Sequence, residues 1–311
     1  MASTPFDRRS VPAAAAFSTW AAPDGWPYRL LRWPQEAGRA VRGSLIFAGG
    51  RGDFIEKYLE ADAHWQERGW DVTAFDWRGQ GGSRGKIVGG HVDSFDPLVD
   101  DLAALIDDWR SRTPGPHVAI GHSMGGHLLL RTLAERKPGL DAAVLVAPMI
   151  RINSGALPAW AAAWTATAMS AVGLASHPAW QHSAVPTPAG SFRQSILTGC
   201  PERYEDELWW WRREPGYNLG APSWGWLRAA FASCDRLTPA RLGAVALPLL
   251  LLGTDRDRLV SPAAIREAAA LIPKAELVML AEAGHEILRE ADPIRLAALA
   301  RIDAFFDAHA G

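Results

Sequence analysis

Short apolar runs alternate along the chain with longer segments whose apolar residues recur at helical spacing. The runs are Ser44–Ala48, Val72–Phe75, His117–Gly121, Ala143–Ala147, Leu249–Leu252 and Leu277–Leu280. Most are apolar throughout and do not alternate, as expected of strands covered on both faces. Between them, Leu98, Leu102, Leu105, Ile106 and Trp109 share one helical face, and Ile265, Ala268, Ala269 and Ile272 share another. Ser261 before Pro262 reads as a cap followed by the first helical residue. The last helix is expected to start the same way, at Asp292 before Pro293, with Ile294, Ala298, Ile302 and Phe305 as its buried stripe. The alternation predicts a mostly parallel sheet with helices on both faces. Tyr28–Trp33 and Val41–Ser44 are expected as antiparallel edge strands, and residues 1–24 as a loose arm.

The rhythm breaks between residues 149 and 226. Trp160, Trp164, Trp180, Trp209, Trp210, Trp211, Trp224 and Trp226 fall in this stretch, among many Ala and Pro residues. Strand and helix signals resume after it. The expected organisation is an arm (1–24), a core (25–148 and 227–311) and a helical Trp-rich cap (149–226) inserted after the sixth strand. Trp160, Trp164, Trp210 and Trp224 are the candidates for lining a substrate pocket there, because aromatic side chains supply large apolar surfaces.

The chemistry-bearing signals sit at strand ends. Gly121-His122-Ser123-Met124-Gly125 matches G-x-S-x-G, with an apolar run before it and a helix-like run after it. Such a turn is strained, so the neighbours of the serine must be small. A serine hydroxyl needs a base to become a nucleophile. Downstream, His127 follows the elbow, His177 and His182 fall in the insertion, and His309 is at the C-terminus. His285 follows a strand in a short Gly-containing loop, where a base can reach back over the strand ends. The orienting acid belongs after Leu249–Leu252, where Asp255 and Asp257 fit equally on spacing. Gly49-Gly50-Arg51-Gly52 follows the Ser44–Ala48 run, so the backbone N–H groups of Arg51 and Met124 are the expected oxyanion donors. Gly79–Gly85 lacks the phosphate-loop pattern and reads as a structural loop below the site. His285-Glu286 does not continue into H-E-x-x-H, and no metal or cofactor is expected.

Composition narrows the function. With 48% hydrophobic residues the chain has material for a sizeable core, and a net charge of −2 gives no field that favours nucleic acid. Cys200 and Cys234 are too few for a disulfide framework and point to a reducing compartment. No apolar run approaches a membrane span, and Arg8-Arg9 is followed only by a weak, Pro-interrupted run. A cytoplasmic protein with at most transient contact with a membrane surface is expected.

Taken together, Gly50-Arg51, Phe54-Ile55-Glu56-Lys57-Tyr58, Asp76-Trp77-Arg78-Gly79-Gln80-Gly81, Gly121–Gly126, Asp257–Ser261, Pro222–Leu227 and His285-Glu286-Ile287-Leu288 resemble the lysophospholipase and monoacylglycerol lipase branch of the α/β hydrolases, the serine aminopeptidase S33-like group. The resemblance implies the α/β-hydrolase fold and hydrolysis of a single-chain lipid ester by Ser123, His285 and Asp257. It favours Asp257 over Asp255 through its Asp-Arg-aliphatic-Val pattern. Small esters, thioesters and peptides are alternative substrates for the same three residues, and a non-catalytic ligand-binding protein is the rival outside enzymes. One departure stands out: many members begin the oxyanion loop with His-Gly, where this chain has Gly49-Gly50.

Overall fold

The computed structural model describes residues 6–87, 89–180 and 187–310, so His182 lies outside the described residues. Eight strands form one sheet among them: β1 (Ala16–Ala21), β2 (Pro27–Trp33), β3 (Gly43–Ala48), β4 (Trp70–Phe75), β5 (His117–His122), β6 (Ala142–Val146), β7 (Leu249–Gly253) and β8 (Ala275–Met279). Their order is β1-β2-β4-β3-β5-β6-β7-β8. The β1–β2 and β2–β4 pairs are antiparallel and all others parallel. The helices are α1 (Leu59–Glu67), α2 (Asp96–Arg112), α3 (Met124–Glu135), α4 (Ala159–Met169), α5 (Phe192–Leu197), α6 (Pro201–Arg213), α7 (Trp224–Asp235), α8 (Pro239–Gly243), α9 (Pro262–Leu271) and α10 (Asp292–His309).

Strands β5, β6 and β7 are buried because helices cover both faces of the sheet. Ile46, Ala119, Leu145 and Leu251 pack with α2, α3, α7 and α9 on one face. Leu45, Val118, Ile120, Val144 and Leu250 pack with α1, α6 and α10 on the other. Their neighbours along each strand point to opposite sides, so even a wholly apolar strand feeds two cores.

Several sequence expectations need correction. The arm is not loose where it is described. Ala16–Ala21 pairs with β2 as the edge strand, and Arg9 binds Asp206 of α6 at 2.6 Å. This strand escapes the apolar pattern because its side chains are nearly all exposed. Val41–Ser44 is no separate strand, since Gly43 opens β3. Strand β8 begins two residues before the expected Leu277. Ser261 caps α9 through the Ala264 N–H, but Asp292 does not cap α10. It occupies the first turn and pairs with Arg203 at 2.5 Å. The expected boundary at residue 226 cuts through α7, whose Trp226, Ala229, Ala230 and Cys234 belong to the sheet's core. The composition of the Trp-rich stretch runs on into that helix, so composition misplaces the edge.

Chain order reverses around β3, with β4 on one side and β5 on the other. The loops after β3 and β5 therefore diverge from neighbouring strand ends, the crevice where open α/β sheets hold ligands. The register pairs Ala48 with Gly121, which sets the Gly49–Asp53 loop beside the elbow.

Candidate active site

Ser123 sits between β5 and α3 with φ +51° and ψ −114°, a conformation costly for any residue with a Cβ. The surrounding glycines make the turn possible. A Cβ on Gly125 would lie 2.2 Å from the Ala48 carbonyl oxygen and 2.3 Å from that of Gly49. A Cβ on Gly121 would meet the Gly126 Cα at 2.7 Å. The helix N-terminus behind Ser123 directs unpaired N–H groups toward the site.

The two other predicted side chains reach the same point from the next strand ends. Ser123 Oγ lies 2.9 Å from His285 Nε2, and His285 Nδ1 lies 2.7 Å from Asp257 Oδ2. The backbone N–H groups of Leu259 and Val260 donate to Asp257 Oδ1 at 2.8 and 3.0 Å. Asp255, the alternative on spacing, points outward and pairs with Arg266 at 2.7 Å. Burial works against the His285 imidazolium, but Asp257, Glu286 and Asp53 together outweigh it and push the pKa above the ordinary value. Burial also works against the Asp257 carboxylate, yet His285 and the two N–H donors hold its pKa below the ordinary value. This is the electrostatic arrangement a serine–histidine proton transfer requires.

The Gly49–Asp53 loop is braced from below by side chains that spacing alone did not single out. The N–H of Gly50 donates to Asp53 Oδ2 at 2.6 Å and that of Gly52 to Gln80 Oε1 at 2.7 Å. Trp77 Nε1 donates to the Gly49 carbonyl at 2.7 Å. Asp76 accepts from the Ile55 N–H at 2.9 Å and the Gly82 N–H at 2.7 Å. Burial raises its pKa to about 6. A Cβ on Gly50 would stand 3.0 Å from the Ser123 Cβ, so glycine permits the close approach. These contacts hold the Gly49–Asp53 loop in place beside Ser123. The backbone N–H groups of Arg51 and Met124 have no acceptor among the described residues.

Behind His285 lies a buried ionic network. Lys57 Nζ binds Asp53 at 2.7 Å and Glu286 at 2.6 Å. Arg289 binds Glu286 and Glu207, and Arg193 binds Glu207 at 2.7 Å. Asp53 also accepts from His122 Nδ1 at 2.8 Å, and the Tyr58 hydroxyl lies 3.0 Å from the same nitrogen. Despite burial, Lys57 and His122 hold the Asp53 pKa well below the ordinary value. The signal for this cluster was present in the sequence. Asp53 and Lys57 are four residues apart, and Glu286 adjoins His285.

A cavity of about 310 Å³ opens over Ser123 and His285. Met124, Met149, Ile152, Leu227 and Leu259 give it apolar walls, with Trp180, Trp211 and Trp226. None of the four expected tryptophans lines it. Trp160 and Trp164 are 70% and 69% exposed. Trp210 is buried and donates to the Arg8 carbonyl at 3.1 Å, and Trp224 is half-buried at the start of α7. The side chain of Arg51 lies over the Trp226 ring and donates from Nη2 to the carbonyls of Gly89 and Gly220 at 3.0 and 3.1 Å. No helix among the described residues is long and apolar enough to cross a membrane.

Residues 39–292 match the family described as serine aminopeptidase, S33. The chain is 32% identical to lysophospholipase L2 of Escherichia coli K12, across 92% of this chain and 86% of that one. It is 25% identical to a monoacylglycerol lipase of Mycolicibacterium smegmatis, across 80% and 83%. Among solved structures, a soluble variant of the Saccharomyces cerevisiae monoglyceride lipase superposes with TM-score 0.76 at 15% identity, covering 98% of this chain and 99% of that one. A carboxyl esterase of Bacillus coagulans superposes with TM-score 0.75 at 17% identity, covering 96% and 99%. At those identities the superpositions speak for the fold alone. The chain has the α/β-hydrolase fold, belongs to the serine aminopeptidase S33 family and is a carboxylic ester hydrolase.

Proposed function

We propose that Ser123, His285 and Asp257 hydrolyse the ester of a single-chain lipid, of lysophospholipid or monoacylglycerol type, through an acyl-enzyme. The observation that carries this reading is the unbroken hydrogen-bonded chain from Asp257 through His285 to Ser123 beneath a largely apolar cavity. His285 takes the serine proton as Oγ attacks the ester carbonyl. The Arg51 and Met124 N–H groups receive the oxyanion, each donor worth about 2.7–4 kcal/mol of barrier. His285 then protonates the leaving alcohol, and a water molecule releases the acyl group by the same route.

The helices between β6 and β7 act as the cap. Trp180 and Trp211 from this segment wall the cavity, and an acyl chain buried there gains about 0.8 kcal/mol per methylene. Leu157, Trp160, Trp164 and Val172 form an exposed apolar rim on the same segment. The rim contacts the lipid surface from which substrate is drawn. Both cysteines are free and buried, which fits a reducing, cytoplasmic setting.

The test is hydrolysis of p-nitrophenyl esters of rising chain length, then of a lysophospholipid and a monoacylglycerol, by wild type and Ser123→Ala. Activity rising with chain length and absent from the variant is expected. Preference for short esters, thioesters or peptides would replace the lipid. No turnover and no labelling of Ser123 by a fluorophosphonate would leave a ligand-binding protein.

A further inference from the structure

Asp53, Trp77 and Gln80 brace the Gly49–Asp53 loop through Gly50, Gly49 and Gly52, and none of them bonds Arg51. Among the described residues, every hydrogen bond of Arg51 is made by its side chain. Nη2 donates to the carbonyls of Gly89 and Gly220, and the guanidinium carbon lies 5.2 Å from the centre of the Trp226 ring. The two anchoring segments are packed tightly on each other. A Cβ on Gly90 would meet a Leu219 methyl at 2.9 Å, and one on Gly89 would meet the Ala221 carbonyl oxygen at 3.3 Å. His91 Nδ1 lies 2.8 Å from Ser223 Oγ between the same segments. As a device for stability alone this fastening is poor. The Nε–H is buried without an acceptor, and burial, with no acidic partner to oppose it, lowers the pKa to about 9. A buried unpaired donor and an uncompensated charge both cost stability. What the fastening controls is the backbone of Arg51. Gly50 and Gly52 flank it, Gly52 with φ +78°, and glycines leave a chain free to turn. Rotation of the Gly50–Arg51 peptide would carry the Arg51 N–H away from Ser123. The N–H groups of Gly50 and Gly52 cannot replace it, because Asp53 and Gln80 hold them.

We propose that Arg51 is a positioning residue whose side chain, fastened to Gly89, Gly220 and Trp226, holds its own backbone N–H on the oxyanion. This rests on the acyl-enzyme reading above, in which that N–H is a donor, and deepens it by naming what keeps the donor in place. Acylation and deacylation both pass through the oxyanion. The side chain therefore acts on kcat and not on binding of the intact ester.

The experiment compares wild type, Arg51→Met and Arg51→Lys on p-nitrophenyl acetate and on a long-chain p-nitrophenyl ester. Removing an oxyanion donor costs about 10²–10³ in kcat, and displacing one costs part of that. In Arg51→Met, kcat is expected to fall roughly 10- to 100-fold on both esters, with KM within about twofold. Arg51→Lys keeps the charge, loses the planar stack and should recover part of the loss. An alkyl trifluoromethyl ketone, whose adduct with Ser123 puts an oxyanion in the same place, should lose affinity across the three proteins in proportion to kcat/KM. The carbinol made by reducing that ketone fills the cavity without forming an adduct, and its Ki should not move. Loss confined to the long-chain ester and carried by KM would make Arg51 part of the cavity wall and overturn the proposal. Equal weakening of ketone and carbinol would overturn it too. A wild type that neither turns over an ester nor reacts with a fluorophosphonate overturns the acyl-enzyme reading itself. Should Arg51→Met not fold, Arg51→Lys carries the test: its kcat for acetate falls at least about threefold at constant KM, and an unchanged kcat overturns the proposal.

Discussion

The loops at the strand ends and the helical stretch between β6 and β7 border the same cavity by different means. At the strand ends, register fixes position. Ala48 beside Gly121 places the Gly49–Asp53 loop against the elbow, and the loops after β7 and β8 bring Asp257 and His285 to Ser123. A residue there is within a few positions of a hydrogen-bonded strand, so its neighbourhood follows from its number. In the helical stretch, direction follows from which face finds a neighbour. Helix α4 (Ala-Trp-Ala-Ala-Ala-Trp-Thr-Ala-Thr-Ala-Met) is apolar all round without a charged residue, and it buries only Ala166. Chemistry is set by the first region, and its surroundings by the second.

The sharpest test of this contrast separates two aspartates two residues apart. Asp257→Asn keeps the shape but favours the wrong tautomer of His285, and kcat is expected to fall about 10⁴-fold, with Ser123→Ala at least as severe. Asp255→Asn, whose carboxylate faces Arg266 on the surface, should leave kcat within about twofold, in keeping with the small worth of an exposed pair. The pH profile supplies a second reading. The base must be neutral to act, and its pKa is raised above 6.5. The kcat/KM of wild type is therefore lost as pH falls through that raised value, on an acid limb above pH 6.5. Removing the Asp257 charge leaves burial to favour neutral imidazole, so the residual activity of Asp257→Asn should persist to lower pH. Comparable losses in both variants would remove the distinction between the two positions.

That pair also marks how far the sequence is legible. Spacing alone allowed either aspartate, and the family resemblance favoured the one that reaches His285. The elbow, the base loop and six strands were readable because strain and burial restrict which residues can occupy them. The edge strand Ala16–Ala21 was not, since its side chains are exposed and only its backbone is bonded. Nor were the pocket tryptophans. Trp210 and Trp211 are adjacent and both buried, yet one bonds the Arg8 carbonyl while the other walls the cavity. Nothing in their spacing distinguishes those fates, because tertiary neighbours decide them.

The ionic network behind His285 should report on stability more than on chemistry. Lys57→Met leaves Asp53 and Glu286 without their shared cation in a buried site. A loss of about 3–5 kcal/mol is expected in urea unfolding, as for other broken buried pairs. Arg266→Met, which breaks a surface pair, should cost under about 1 kcal/mol. Equal costs would mean that the network is solvated in solution. Gln80→Leu removes the acceptor of the Gly52 N–H and loosens the oxyanion loop. Here kcat is expected to fall roughly tenfold at nearly constant KM, a fraction of what a lost donor costs.

The smallest effect distinguishes tryptophans within the helical stretch itself. Trp180 lines the cavity, whereas Trp160 and Trp164 stand exposed away from it. Trp180→Ala should raise KM for long-chain p-nitrophenyl esters about 3- to 10-fold, the value of roughly 1 kcal/mol of lost apolar contact. It should change KM little for acetate, whose acyl group is too short to reach that wall. The double variant Trp160→Ala, Trp164→Ala should leave KM for dissolved esters unchanged at every length, because neither ring touches the cavity. Its loss should emerge only with substrate held in phospholipid vesicles, where two interfacial rings contribute to residence at the surface. If the double variant instead weakened hydrolysis of dissolved long-chain esters, α4 would have to close over the cavity during turnover, and its exposed rings would belong to the substrate and not to the membrane.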